Sequence, residues 1–198
     1  MIKKHSKMDS RVSAANRIAI LASKDEILFH ISDVANLWEV TDKNVLRKML
    51  SRYTQRGLMV RVHRGFYSLK KISEIDPYLL GVKALHGPAY ISCETILFRD
   101  GIINQPAQGI TIVSSVSKYF TIAGIAYKSR KMRDEFLFNN AGIEVQSGVR
   151  VASSARAIAD IYYFNPRKYL DALGSSLVDM DEVREIQKAV GFKLSKKS

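Results

Sequence analysis

Between Arg11 and Ala22 the apolar residues Val12, Ala15, Ile18, Ala19 and Ala22 recur at helical spacing and predict a first helix. Ile27-Leu28-Phe29 is a short apolar run that predicts a small strand. Ser32 is placed to cap a short helix over Asp33 to Leu37, and Trp38-Glu39-Val40 makes a turn. Thr41 is expected to cap a longer helix from Asp42 to about Gln55, with Gly57 stopping it. Leu58 to His63 then alternates apolar and basic residues, Arg64-Gly65 turns the chain, and Phe66 to Leu69 returns as a second strand. Helix, short strand, helix, turn, helix, hairpin is the order of a winged helix-turn-helix.

A polar, charged stretch from Lys70 to Asp76 reads as a linker. Pro77 suits a first helical position, and a helix is expected over Tyr78 to Leu85, broken by His86-Gly87-Pro88. Tyr90-Ile91-Ser92 leads into a helix over Glu94 to Arg99, stopped by Gly101. Strands are expected at Ile110–Val113, Tyr119–Ile122, Ile125–Lys128, Glu135–Phe138 and Ile143–Val151, the last broken at Ser147-Gly148. Ser153 caps a helix through Tyr163, Pro166 begins another to about Leu173, and Asp181 caps a final one over Glu182 to Val190. The fold class is therefore mixed α/β. An N-terminal winged helix-turn-helix over residues 1–70 precedes a C-terminal α/β domain over 77–192 with a mostly antiparallel sheet, and 193–198 is expected to be a disordered tail.

With 198 residues, 46% of them hydrophobic, the chain can bury a core in one large domain or two small ones. No stretch approaches the roughly 20 apolar residues of a membrane helix. The basic N-terminus has no apolar run behind it, so neither a signal peptide nor a membrane anchor is expected. The single cysteine, Cys93, excludes an internal disulfide and a multi-cysteine metal site, and a cytoplasmic location is expected. Net charge changes the picture most. At +12 it points to a polyanionic partner. Residues 1–70 hold 14 Lys and Arg against 6 Asp and Glu, a net of +8, whereas residues 71–198 carry +4.

The helix from Asp42 to Gln55 sits in the basic part. Val45, Leu46, Met49, Leu50 and Tyr53 repeat as one stripe for burial. The opposite face shows Lys43, Asn44, Arg47, Lys48, Ser51 and Arg52 and, past Asp42, no acid. Arg and Lys can reach guanine O6 and N7 in the major groove, and Asn can pair bidentately with adenine. Arg52 and Arg56 lie further along, where phosphates are the expected contacts. Arg61, His63 and Arg64 surround the hairpin tip, and Gly65 permits its tight turn. A basic wing can lie over phosphates or enter the minor groove. The same fold could instead contact protein or RNA.

These residues resemble a known group, the AbiEi-like antitoxins and transcriptional regulators of type IV toxin–antitoxin systems in abortive infection. Three segments carry the resemblance. The wing, Gly57 to Tyr67 through Arg64-Gly65-Phe66-Tyr67, is similar to the family's wing pattern. Tyr90-Ile91-Ser92-Cys93-Glu94-Thr95-Ile96-Leu97 followed by Gly101-Ile102 is similar to its Tyr-x-Ser segment. Ala155-Arg156-Ala157-Ile158-Ala159-Asp160-Ile161-Tyr162-Tyr163 is similar to its late helix. The resemblance implies that the N-terminal domain binds repeats in double-stranded operator DNA and represses its own operon; winged-helix repressors commonly bind such repeats as pairs, a homodimer on DNA, but one module can bind alone. The resemblance also implies that the C-terminal domain opposes a nucleotidyltransferase-like toxin without a stable complex. A stand-alone transcription factor is the alternative.

No catalytic constellation, metal site or cofactor is expected. His5, His30, His63 and His86 lack metal-ligand spacing, Cys93 has no partner at motif distance, and no glycine-rich phosphate loop follows a strand. A Mg-dependent nuclease remains a rival reading. Asp134 precedes an expected strand and Glu144-Val145-Gln146 lies on a later one, although Gln146 stands where such a site uses Lys. Arg156 and Asp160, four apart, can pair on one helix face. Tyr119, Phe120, Tyr127, Phe136, Phe138, Tyr162, Tyr163 and Phe164 are expected to be mostly core. Lys128, Arg130, Lys131 and Arg133 read as a solvated loop between strands, which could also meet nucleic acid.

Overall fold

The computed structural model describes residues 13–167 and 178–193. Arg11 and Val12 of the expected first helix, most of the helix expected from Pro166 to Leu173, and the tail after Lys193 lie outside the described residues. The chain divides into two compact units between Glu74 and Ile75.

In unit 1, α1 (Ala14–Ala22) begins where the Ser13 hydroxyl accepts from the amide of Asn16 at 3.1 Å. Next come β1 (Leu28–His30), α2 (Ile31–Leu37) and α3 (Lys43–Gln55), then β2 (Val60–His63) and β3 (Phe66–Ser68), with a short 3₁₀ turn at Ile72–Glu74. The three strands form an antiparallel sheet in the order β1-β3-β2. This arrangement of helices and sheet is consistent with a winged helix. Leu21, Phe29, Val34, Trp38, Leu46, Met49, Leu50, Tyr53, Met59 and Tyr67 form its core. The Trp38 indole meets Tyr53 edge-on and donates its N–H to the carbonyl of Arg17 at 2.9 Å, which satisfies the one polar atom the ring buries.

Two helix starts differ from the sequence expectation. α2 begins at Ile31 rather than Asp33, because the Asp33 carboxylate reaches back to the amide of His30 at 2.9 Å and Ser32 is already inside the helix. α3 is capped by Asp42 and not by Thr41. One carboxylate oxygen of Asp42 accepts from the amides of Asn44 at 2.7 Å and Val45 at 3.1 Å. The other end of α3 is as expected. Gly57, at φ +70°, lets its own amide reach the carbonyl of Thr54 and that of Leu58 the carbonyl of Tyr53.

Unit 2 runs α4 (Pro77–Lys83), β4 (Ala89–Ile91), α5 (Glu94–Arg99), β5 (Ile110–Ser114), β6 (Lys118–Ile122), β7 (Ile125–Lys131), α6 (Asp134–Leu137), β8 (Ile143–Gln146), β9 (Val149–Ala152), α7 (Ser154–Phe164) and α8 (Met180–Val190). Its sheet has the order β6-β7-β5-β4-β9-β8. Helix α4 packs on one face, while α5 and α7 cover the other and α8 lies on α7. The sheet is mixed rather than mostly antiparallel. β6–β7, β4–β5 and β8–β9 are antiparallel, but β5–β7 and β4–β9 are parallel. Among the described residues no helix is long and apolar enough to cross a membrane.

Three further expectations are corrected. Glu135–Phe138 is not a strand: Asp134–Leu137 forms one helical turn, with acids at its N-terminus where the helix dipole favours them. α8 starts at Met180 with Asp179 as its cap, two residues before the expected start. The aromatic residues are not mostly core. Of the eight named, Tyr127 is buried, Tyr119 is 74% and Phe138 60% exposed, and the rest are half-buried.

The centre of unit 2 holds a charge. Arg156 and Asp160 are both 0% exposed and pair at 2.9 Å along α7. The remaining guanidinium donors go to the carbonyls of Ala141, Asn139 and Phe136 and to the Tyr90 hydroxyl. Asp160 also accepts from the Ser92 hydroxyl at 2.6 Å. Burial pushes the Asp160 carboxyl up, and Arg156 and Ser92 work against that push. Removing one partner of a buried pair leaves the other uncompensated, at a cost of about 3–5 kcal/mol. Asp160→Ala is expected to destabilise unit 2 by about that amount in urea unfolding. A loss below about 1 kcal/mol would show that the network does not hold the unit together.

Candidate nucleic-acid interface

Helix α3 shows its solvent face because its other face is committed. Leu46, Met49, Leu50 and Tyr53 are all under 7% exposed and fix its rotation. Val45, expected in that stripe, is 46% exposed, since it lies on the flank of the buried arc. Lys43, Asn44, Arg47, Lys48, Ser51 and Arg52 are all exposed. The structure does not bring them to one line, however. Asn44, Lys48, Ser51 and Gln55 follow the crest of the helix. Arg47 and Arg52, five residues apart, are separated by roughly 140° and fall on opposite flanks.

The Arg47 flank meets the wing. Arg47, Ser51 and Thr54 from α3, Arg61, Arg64, Gly65 and Tyr67 from the hairpin, and Ile31 from α2 line a groove of about 610 Å³. Three cations therefore converge on one concave surface, which is how a phosphate backbone is gripped. Sequence reasoning missed Thr54. It lies seven residues after Arg47, two turns along the same flank, and its hydroxyl is engaged with the carbonyls of Leu50 and Ser51.

The wing is held rather than free. The carbonyl of Gly65 accepts from the amide of Ile31 at 2.8 Å, which ties the tip to the start of α2. Gly65 has φ +77°, a conformation that side chains other than glycine rarely adopt, and this leaves Arg64 at the exposed end of the turn. A register shift between Arg61 and His63 twists the short hairpin. His63 packs against Phe66 at 5.2 Å and its Nδ1 lies 3.1 Å from the carbonyl of Arg64, so the imidazole braces the tip. Within α3, Arg47 donates to the Asn44 side-chain carbonyl at 3.3 Å. The two candidate base readers thus hold each other in position. Arg52 and Arg56 lie away from the groove.

The charges of α3 are arranged against helix stability. Its first turn has no acid after the cap and carries Lys43, although a helix N-terminus favours anions. Asp42, the acid nearest this face, spends its charge on backbone amides. The amides of Val45 and Asn44 hold its carboxyl below the usual value of 3.8.

The rival nuclease residues do not assemble as the sequence suggested. Asp134 opens a helix instead of feeding a strand, and Glu144 lies on edge strand β8. Among the described residues no three His, Cys, Asp or Glu side chains are placed to hold a metal ion. Cys93 is buried, and burial pushes its thiol up. The basic run Lys128 to Arg133 is not a loop: its first four residues belong to β7.

No protein-family model and no curated protein matches the chain. A solved structure does: the Rv2827c protein of Mycobacterium tuberculosis is similar with a TM-score of 0.52 at 10% sequence identity, over 88% of this chain and 71% of that one. The likeness is one of fold.

Asp42 gives the interface a pH signature. A lowered folded-state value means that its stabilisation is present above 3.8 and is lost as pH falls through the lowered value. Asp42→Asn keeps an acceptor at every pH. The melting-temperature advantage of the natural protein over this variant is expected to shrink as pH drops below 3.8. A constant difference down to strong acid would remove Asp42 from the cap.

Proposed function

We propose that the chain is a DNA-binding transcriptional regulator that docks α3 in the major groove and lays the wing on the adjoining backbone. One observation carries this reading. An acid-free helix face opens into a groove lined by Arg47, Arg61 and Arg64. A protein-binding face of this kind would be expected to mix charges or expose apolar area. The only large apolar residues exposed on α3 and the wing's approach are Val45 and Leu58. Asn44 and Arg47, one turn apart near the start of α3, are the base-reading pair. Lys43 and Lys48 flank them. Arg64, Arg61 and, on the far flank, Arg52 meet phosphates.

The resemblance to AbiEi-like antitoxins extends the proposal. On that reading the chain represses its own operon, as paired copies on operator repeats, and unit 2 opposes a nucleotidyltransferase-like toxin. Supporting it is the meeting of two of the segments that carry the resemblance. Tyr90 and Ser92 from one and Arg156 and Asp160 from the other join in a single buried network. Rescue of growth when this chain is co-expressed with an adjoining nucleotidyltransferase-like protein would be the direct test. Failure of rescue together with a footprint on its own promoter would leave the stand-alone regulator.

Two substitutions test the DNA contacts. Arg47→Ala is expected to weaken binding to the footprinted site by about 1–3 kcal/mol while leaving random duplex nearly unchanged. An equal loss on both would end its base-reading role. Arg64→Ala is expected to lower the slope of log affinity against log salt by about one unit. An unaltered slope would take the wing tip out of the interface.

A further inference from the structure

The β6–β7 hairpin of unit 2 has a charge pattern that the average hides. From Gly101 to Arg133 the chain has five Lys and Arg and no Asp or Glu. Strand β6 is an edge of the sheet. The antiparallel register sets Tyr119 opposite Lys128, so the two share a face, and Arg130, two residues on, shares it too. The Lys128 ammonium stands 5.6 Å from the centre of the Tyr119 ring, and the Arg130 guanidinium lies 4.0 Å from that of Phe164. On this face each cation therefore stands beside an aromatic ring, Lys128 beside Tyr119 of β6 and Arg130 beside Phe164 at the end of α7.

Tyr119 is the outlier in that strip. Its neighbour Phe120 points to the other face and stacks on Tyr127, which α4 covers. Tyr119 has no such cover and is 74% exposed. Lysines on an edge strand are a common guard against pairing with other chains. That guard accounts for Lys118 but gives no reason to leave a large ring in water on the flat of the sheet.

We propose that this strip binds single-stranded nucleic acid, with Tyr119 as the platform for an unpaired base and Lys128 and Arg130 as phosphate contacts. The acid-free charge selects a polyanion. The open ring selects among polyanions. A duplex hides its base faces, whereas a single strand can splay a base out and stack it on an aromatic side chain. RNA and single-stranded DNA share this chemistry. The strip uses none of the residues of the α3 interface.

The test is fluorescence anisotropy of the full chain with short labelled oligo(U), oligo(dT) and a duplex of unrelated sequence. Tyr119→Ala is expected to weaken both single strands about tenfold or more, in line with the value of one stacked base, and to leave the duplex unchanged. Tyr119→Phe should bind as the natural protein does, because the ring is kept. The Arg47→Ala, Arg64→Ala double variant should hold single strands as before. A stronger grip on oligo(U) or on oligo(dT) would name the natural ligand. Three results would each overturn the proposal: Tyr119→Ala within twofold of the natural protein, an equal loss on duplex, or loss of single-strand binding in the double variant. Binding of operator duplex is read separately, so the proposed regulator can fail while this surface stands, and the reverse.

Discussion

Burial of Leu46, Met49, Leu50 and Tyr53 sets the rotation of α3, and the proposed interface depends on that rotation. A helix of 3.6 residues per turn leaves no freedom once four positions face inward. Asn44, Lys48 and Ser51 are then forced outward, Arg47 is turned toward the wing and Arg52 away from it. The wing is fixed to the same frame through the bond from Ile31 to Gly65. The three cations lining the groove converge because a packed core and one backbone hydrogen bond hold their elements, and no direct attraction between them is involved. Their mutual repulsion is screened in water and is offset by attraction when an anion enters.

Unit 2 is organised around the opposite situation, a cation that water cannot reach. Arg156 uses every guanidinium donor inside the protein, on α7, on β4 and on the carbonyls before β8. Such a group contributes little net stability compared with apolar packing, but it tolerates few alternative arrangements. The segments of the resemblance in this unit are largely buried, and four of their residues, Tyr90, Ser92, Arg156 and Asp160, form that network. Contacts with a partner would have to come from other, exposed positions.

Much of this was legible in the sequence, and the failures have physical causes. Unit 1 was readable because each of its elements announces itself locally, by an apolar stripe, a capping residue or a glycine turn. The caps were misassigned by a residue or two because Thr41-Asp42 offers two capable side chains, and because at α2 His30 takes the cap position while Asp33 reaches back to its amide from inside the helix. In unit 2 the strands of the two hairpins and the break at Ser147-Gly148 could be read, but the parallel pairings β5–β7 and β4–β9 join distant segments and leave no local mark. Glu135–Phe138 is four residues long, too short for its period to separate strand from helix. The exposed face of α3 was correctly listed by residue type, while the division of its arginines between two flanks needed the observed rotation.

The same reasoning explains why the basic run Lys128 to Arg133 of unit 2 reads from sequence as an ordinary loop. A net of +4 over residues 71–198 averages an acid-free stretch against an acidic one, since Asp179, Asp181, Glu182 and Glu185 cluster at the start of α8. Averaging is justified only where charges lie within a screening length, about 8–10 Å, of one another. Strand register supplies the distance that composition lacks. It places Tyr119, Lys128 and Arg130 on one face and sends Lys118, Phe120 and Lys131 to the other. Once the faces are separated, the exposed tyrosine is no longer one aromatic among several expected in the core. It is the ring on this hairpin that packing leaves uncovered, and it stands beside the cations that would hold a phosphate chain in place.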